Sequence, residues 1–112
     1  MNARTRTARA TIKARATQAR AAARIQRRGT ASLTTHAIAA GLTPAEARTV
    51  ASSLRRNTAK LGLTGTAHRV HAGRRMRTTH RFTPAQVALA AAAYRPRKPE
   101  FKAASARLAL AA

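Results

Sequence analysis

Two short segments of this chain declare where helices begin. Thr43-Pro44-Ala45-Glu46 sets a hydroxyl side chain at the N-cap, a proline at the first helical position and a carboxylate three residues on, able to close a capping box. Thr83-Pro84-Ala85-Gln86 repeats the Thr-Pro start, although the flanking residues diverge and no internal repeat results. Glycines supply the stops. Gly41 ends a short helix expected at 33–40, capped by Ser32 or Thr30, with Leu33, Ala37 and Ile38 inward. Gly62 ends the helix that starts at Pro44, where Ala47, Val50, Ala51, Leu54 and Leu61 recur at helical spacing. Between Thr66 and Phe82 the period changes to that of two strands about Ala72-Gly73. Met76, Thr78, His80 and Phe82 share one side of the second strand, and Arg75, Arg77, Thr79 and Arg81 share the other. An apolar helix through Val87, Leu89 and Tyr94 follows.

These signals lie in residues 29–94, which hold nearly all the large aliphatic side chains and are expected to form one domain. Residues 1–28 are almost wholly Ala, Arg and Thr and read as a basic N-terminal arm. If the arm is helical, Arg9, Lys13, Arg20, Arg24 and Arg27 form a narrow basic stripe opposite Ala14, Gln18, Ala21, Ala22 and Ile25, and Gly29 stops it. Such a helix is expected either to stand alone or to complete itself on a polyanion. Residues 95–112 begin with the helix-breaking Arg95-Pro96-Arg97-Lys98-Pro99 and read as a basic linker with an Ala/Leu-rich tail. The fold class expected is mainly α with a small β-hairpin.

Charge decides the class of partner. Twenty-three Lys and Arg face two acidic residues, a formal net charge of +21. Self-repulsion at that density opposes compaction, whereas a polyanion relieves it and releases counterions for each phosphate neutralised. The only lysines are Lys13, Lys60, Lys98 and Lys102. Arginine dominance suits bidentate contacts to phosphates and guanine edges. A GC-rich genome would also favour Arg over Lys, but not the near absence of Asp and Glu. Nucleic acid is therefore the expected partner, with no membrane role: no apolar run reaches spanning length and no signal-peptide core appears. The arm has the composition of a mitochondrial transit peptide, but the whole chain shares that bias and the signal does not discriminate.

Catalysis and cofactors find little support. Glu46 is expected in the capping box and Glu100 in the tail, so carboxylate-held Mg²⁺ and two-carboxylate hydrolysis lack ligands. With no cysteine, thiolate metal sites are excluded. His68, His71 and His80 invite a metal site across the hairpin, yet His68 and His71 have opposite strand parity. No metal, no cofactor and no enzyme activity are expected. A small metal-independent ribonuclease using His68, His71, His80 and Tyr94 is a third reading that nothing in their spacing recommends.

The stretch Ala37-Ile38-Ala39-Ala40-Gly41-Leu42-Thr43, followed by Val50, Leu54 and Leu61-Gly62-Leu63, resembles the winged helix-turn-helix DNA-binding superfamily, in the manner of small phage, plasmid or actinobacterial regulators. The resemblance covers about residues 32–82. His36 stands where that pattern usually has an aliphatic, and Ala47 is small for its core position. The resemblance implies a recognition helix at 44–61 presenting Arg48, Thr49, Ser52, Arg55, Arg56 and Lys60 to the major groove. It also implies a basic wing at 66–82 carrying Arg69, Arg74, Arg75 and Arg77. The expected function is a DNA-binding transcriptional regulator or architectural, excisionase-like factor, cytoplasmic and nucleoid-associated, with a homodimer left open. A structural, ribosome-associated RNA-binding protein is the alternative. Double-stranded DNA is favoured over structured RNA.

Overall fold

In the computed structural model, which describes residues 2–111, both Thr-Pro segments open helices through complete capping boxes. Thr43 Oγ1 accepts from Glu46 N–H while Glu46 Oε1 accepts from Thr43 N–H at 3.1 Å. Thr83 and Gln86 do the same, and Gln86 Nε2 also donates to Thr64 O at 3.0 Å, tying that helix start to the approach to the hairpin. Each such cap contributes about 1 kcal/mol. The described elements are helices α1 (Ala3–Arg28), α2 (Leu33–Ala39) and α3 (Pro44–Lys60), strands β1 (Thr66–Ala72) and β2 (Arg75–Arg81), and helices α4 (Pro84–Ala92) and α5 (Pro99–Leu110). The coarse class is thus mainly helical with one antiparallel hairpin.

Of the two capping residues open for α2, Ser32 takes the role, accepting from Thr35 N–H at 3.2 Å. Gly41, with φ 107°, makes the sharp turn into α3. A Cβ there would also meet Arg107 Nη1 at 2.7 Å. α2 and α3 then pack through Leu33, Ala37, Ala47, Val50, Ala51 and Leu54. Ala47 is fully buried, and its small size suits the close approach of the two helices.

Two assignments within the helices need correcting. Leu61 does not extend the apolar stripe: it caps α3 and is 49% exposed, because the chain turns away at Gly62 toward the hairpin. Thr58 occupies the stripe instead, its hydroxyl satisfied by donation to Arg55 O at 2.8 Å. In α4, Leu89 is 57% exposed. α4 lies between α3 and α5 and buries Val87, Ala88, Ala90 and Ala91, so small side chains serve both contacts and the leucine points out.

The hairpin pairs Thr66 with Arg81 through Ala72 with Arg75. Its two-residue loop is Gly73-Arg74, one position later than the expected Ala72-Gly73, and Gly73 supplies the positive φ (67°) of a tight hairpin turn. Just past β2, Phe82 pairs with Ala31, their amides and carbonyls exchanging bonds of 3.1 and 2.8 Å. Ala31 therefore acts as a one-residue third strand that holds the hairpin base to the helices. His36 explains itself here. It is buried in α2, and its Nε2–H donates to Phe82 O at 2.8 Å, a second bond to a carbonyl that also accepts from Ala31 N–H.

The boundaries of the central unit also move. Within the segment 95–112 expected as linker and tail, α5 is not peripheral to a finished core: its Phe101, Ala104 and Leu108 belong to the same buried cluster as Leu33, Val50 and Val87. Ser105 Oγ donates to Ala91 O at 3.0 Å, and Arg107 Nη1 donates to Ala40 O at 2.8 Å. The Pro-rich segment is a tight connection whose last proline opens α5, with the Lys98 ammonium 5.3 Å from the Phe101 ring centroid. At the other end, α1 is one continuous helix closed by Gly29. Its second half docks on α2 by the expected face, with Ala21 buried, Ile25 half-buried and Gln18 Nε2 donating to Ala39 O at 3.1 Å. Ala14 and Ala22 of that face remain exposed, and residues 2–16 are exposed on every side.

Candidate nucleic-acid interface

α3 sorts its residues cleanly. With Ala47, Val50, Ala51, Leu54 and Thr58 inward, Arg48, Thr49, Ser52, Arg55, Arg56 and Lys60 all fall on one exposed arc, as helical periodicity requires. The arc has two margins. Arg48 and Arg55 lie toward the hairpin, whereas Thr49, Arg56 and Lys60 lie away from it, with Ser52 between. The Ser52 hydroxyl donates to Arg48 O and the Arg56 guanidinium to Ser53 Oγ, both at 3.2 Å.

The arginines expected in the wing do not act as one set. β1 and β2 present Thr66, His68 and Val70, paired with Arg81, Thr79 and Arg77, on the face turned to the helices. Arg77 is thus inward, Arg69 is on the opposite, open face, and Arg74 and Arg75 sit at the tip. Among the described residues no helix packs closely against either strand, so a groove runs between hairpin and helices.

Five arginines gather in that groove. One hollow of about 410 Å³ is lined by Arg24 from α1, Arg48 and Arg55 from α3, and Arg77 and Arg81 from β2. The hydroxyls of Ser32, Thr34 and Thr35 complete the lining beside Thr79 and Val70, and no carboxylate enters it. A second hollow of about 320 Å³ shares Arg55, Arg77, Ser32 and Thr79 with the first and continues around the free edge of β2 toward His80. Arg20, Arg56, Arg95 and Arg107 donate to protein acceptors, but none of the five groove guanidiniums is so engaged among the described residues. Glu46, the acidic residue closest in sequence to Arg48, is occupied by the Thr43 amide and hydroxyl.

Sequence reasoning named Arg24, Arg48, Arg55 and Arg77 without joining them, and it left Arg81 and the α2 hydroxyls out of the site. The parity of Arg81 with Arg77 was the available signal. The rest of the arm stripe, Arg9, Lys13, Arg20 and Arg27, is exposed along α1, with Arg24 as its link to the groove.

The histidines do not assemble. His68 is on the inner hairpin face, His71 and His80 have the other parity, and among the described residues no three His, Asp or Glu side chains come together as a metal site would need. No described helix is long and apolar enough to cross a membrane. Comparison of the chain with protein-family models, with curated proteins and with solved structures finds no match in any of the three.

Proposed function

We propose that this chain is a double-stranded DNA-binding protein rather than an enzyme, with α3 as its reading helix and the hairpin as a basic wing. One observation carries the reading: five unengaged guanidiniums from α1, α3 and β2 converge on a carboxylate-free groove that adjoins the exposed arc of α3. Arginines spread over a merely solvated surface have no reason to converge on one concavity, because like charges repel. The order helix, Gly turn, helix, hairpin supports a winged-helix arrangement, as does the Ala31–Phe82 bridge that stands the hairpin beside α3. A helix of this diameter fits the major groove, where arginine reads guanine through O6 and N7. With few aromatic side chains, three per cent of the chain, stacking on unpaired bases is a poor fit, which favours duplex over single strands.

In this reading α1 adds a backbone-tracking arm and base preference comes from the Arg48 end of α3, as befits a regulator or architectural factor. A salt titration of duplex affinity tests the core claim. If groove, helix and arm together neutralise roughly eight phosphates, log K against log salt should fall with a slope of about −7. A slope shallower than about −3 would place most of the charge outside the interface and refute the reading. Stronger competition by structured RNA than by duplex DNA in the same titration would refute the preference for DNA.

A further inference from the structure

The groove has walls of two kinds. One is rigid: Arg48 and Arg55 stand on α3, whose Val50 and Leu54 are fully buried, and Arg24 stands on the docked half of α1. The other is the hairpin. It is fastened at its base by the Ala31–Phe82 bridge, the His36 bond to Phe82 O and the Gln86 bond to Thr64 O. Above that base no described helix packs closely against it. Arg77 and Arg81 on this wall face three arginines on the other, and no acid lies between them.

Two like-charged walls, one of them fastened at a single end, are held apart by their own field unless an anion lies between them. A guanidinium presents a planar fork of donors that matches a phosphate in bidentate fashion, and five of them exceed what one phosphate can accept. Arg55 and Arg77 border both hollows, so the groove continues past them far enough for more than one phosphate. The hydroxyls of Ser32, Thr34 and Thr35 line the same hollow as Arg24, those of Ser32 and Thr35 bonded to each other at 2.9 Å.

We propose that this groove is a clamp for linked phosphates, with the hairpin as its moving jaw: the anion bridges Arg77 and Arg81 to Arg48 and Arg55 and draws the hairpin toward α3. The shared chemistry is two or three phosphates in a chain, supplied either by the backbone of a nucleic acid or by a free oligophosphate. The inference rests on the nucleic-acid reading only for its source. It predicts binding of linked phosphate without any base, at the inner face of the wing rather than at its tip.

Inorganic tripolyphosphate is the probe. It should bind the full chain at one strong site by titration calorimetry, and the amide resonances of Val70 and Thr79 should shift with the same saturation. Arg55→Gln/Arg77→Gln should lower the affinity by about tenfold or more, since each loses charge-assisted bonds. Arg97→Gln/Lys102→Gln, remote on the α4–α5 side, removes the same charge and should leave the affinity within about twofold. These four residues are exposed, so unchanged melting curves should confirm that both variants fold. Equal losses in the two double variants, or several weak equivalent sites, would overturn the clamp. Displacement of tripolyphosphate by a short duplex at low salt identifies the backbone as the source, whereas duplex binding without displacement identifies a free oligophosphate. A steep salt slope for duplex DNA together with no tripolyphosphate site would sink the clamp and leave the DNA reading standing. A shallow slope with a strong tripolyphosphate site would do the reverse.

Discussion

At position 36 a histidine sits at 3% exposure, and burial holds its pKa below the ordinary 6.5, only partly opposed by the bond to Phe82 O. Between that lowered value and 6.5 the unfolded chain binds more protons than the folded one, so stability rises with pH across the window. Above 6.5 the contribution is fully present, and it is lost as the pH falls toward the folded value. The melting temperature should therefore drop on acidification from neutrality to about pH 5. His36→Gln, which keeps a side-chain donor but does not titrate, should flatten that profile; an unaltered profile would assign the dependence to another group. Leu54 and Arg55 make a second contrast between adjacent residues. Leu54→Ala empties a fully buried position and should cost about 2–5 kcal/mol. Arg55→Ala should melt within about 0.5 kcal/mol of wild type while weakening duplex binding. Similar melting temperatures for the two would contradict the orientation of α3.

At the scale of elements, α1 is two helices in one from the standpoint of energetics. Residues 2–16 are exposed, carry no acid in the first turn to complement the macrodipole, and place Arg9 and Lys13 one turn apart. This half is held by Ala and Arg propensity and by the Asn2 cap, whose Oδ1 accepts from Thr5 N–H at 2.8 Å, and lying along a phosphate backbone would stabilise it by neutralising that repulsion. Deleting residues 1–16 should leave the melting temperature nearly unchanged and weaken binding to all duplexes alike. Deleting 1–28 should lower the melting temperature as well, since Ala21, Ile25 and the Gln18 bond are lost. Equal stability of the two truncations would mean that the docked half contributes no folding energy. α5 is the opposite case. Truncation after Tyr94 removes Phe101, Ala104 and Leu108 from the core and should abolish cooperative thermal unfolding, because a core this rich in alanine has little area in reserve.

For the molecule as a whole, the proposed DNA-binding function makes reading and holding separable by the placement of the arginines. Arg48 lies in the first turns of α3, so Arg48→Ala should alter the motif selected from randomised duplexes and cost about 1–3 kcal/mol at one or two base pairs. Arg75→Ala, at the hairpin tip, should weaken all sites equally and reduce the salt slope by about one. A selected motif that changes with Arg75 and not with Arg48 would move the reading role from helix to hairpin. If not even the wild type enriches a motif, the regulator gives way to an architectural protein.

Local chemistry determined the element starts, the Gly stops, the strand parity and the polar arc of α3, because each depends on side chains within a turn or two of one another. Net charge set the expectation of a polyanionic partner, since it sums over the chain whatever its fold. Tertiary structure alone decided the rest. That α5 completes the core depends on alanines of α4 finding a second helix, a contact that small residues do not announce in sequence. That Leu61 and Leu89 face solvent depends on where the chain leaves one helix and which sides of another are already taken. His36 needed a carbonyl brought from Phe82, far along the chain, and only the Ala31–Phe82 bridge delivers it. The same bridge brings Arg77 and Arg81 opposite Arg24, Arg48 and Arg55, and no spacing in the sequence records that convergence, because its distances are set by packing rather than by the number of residues between.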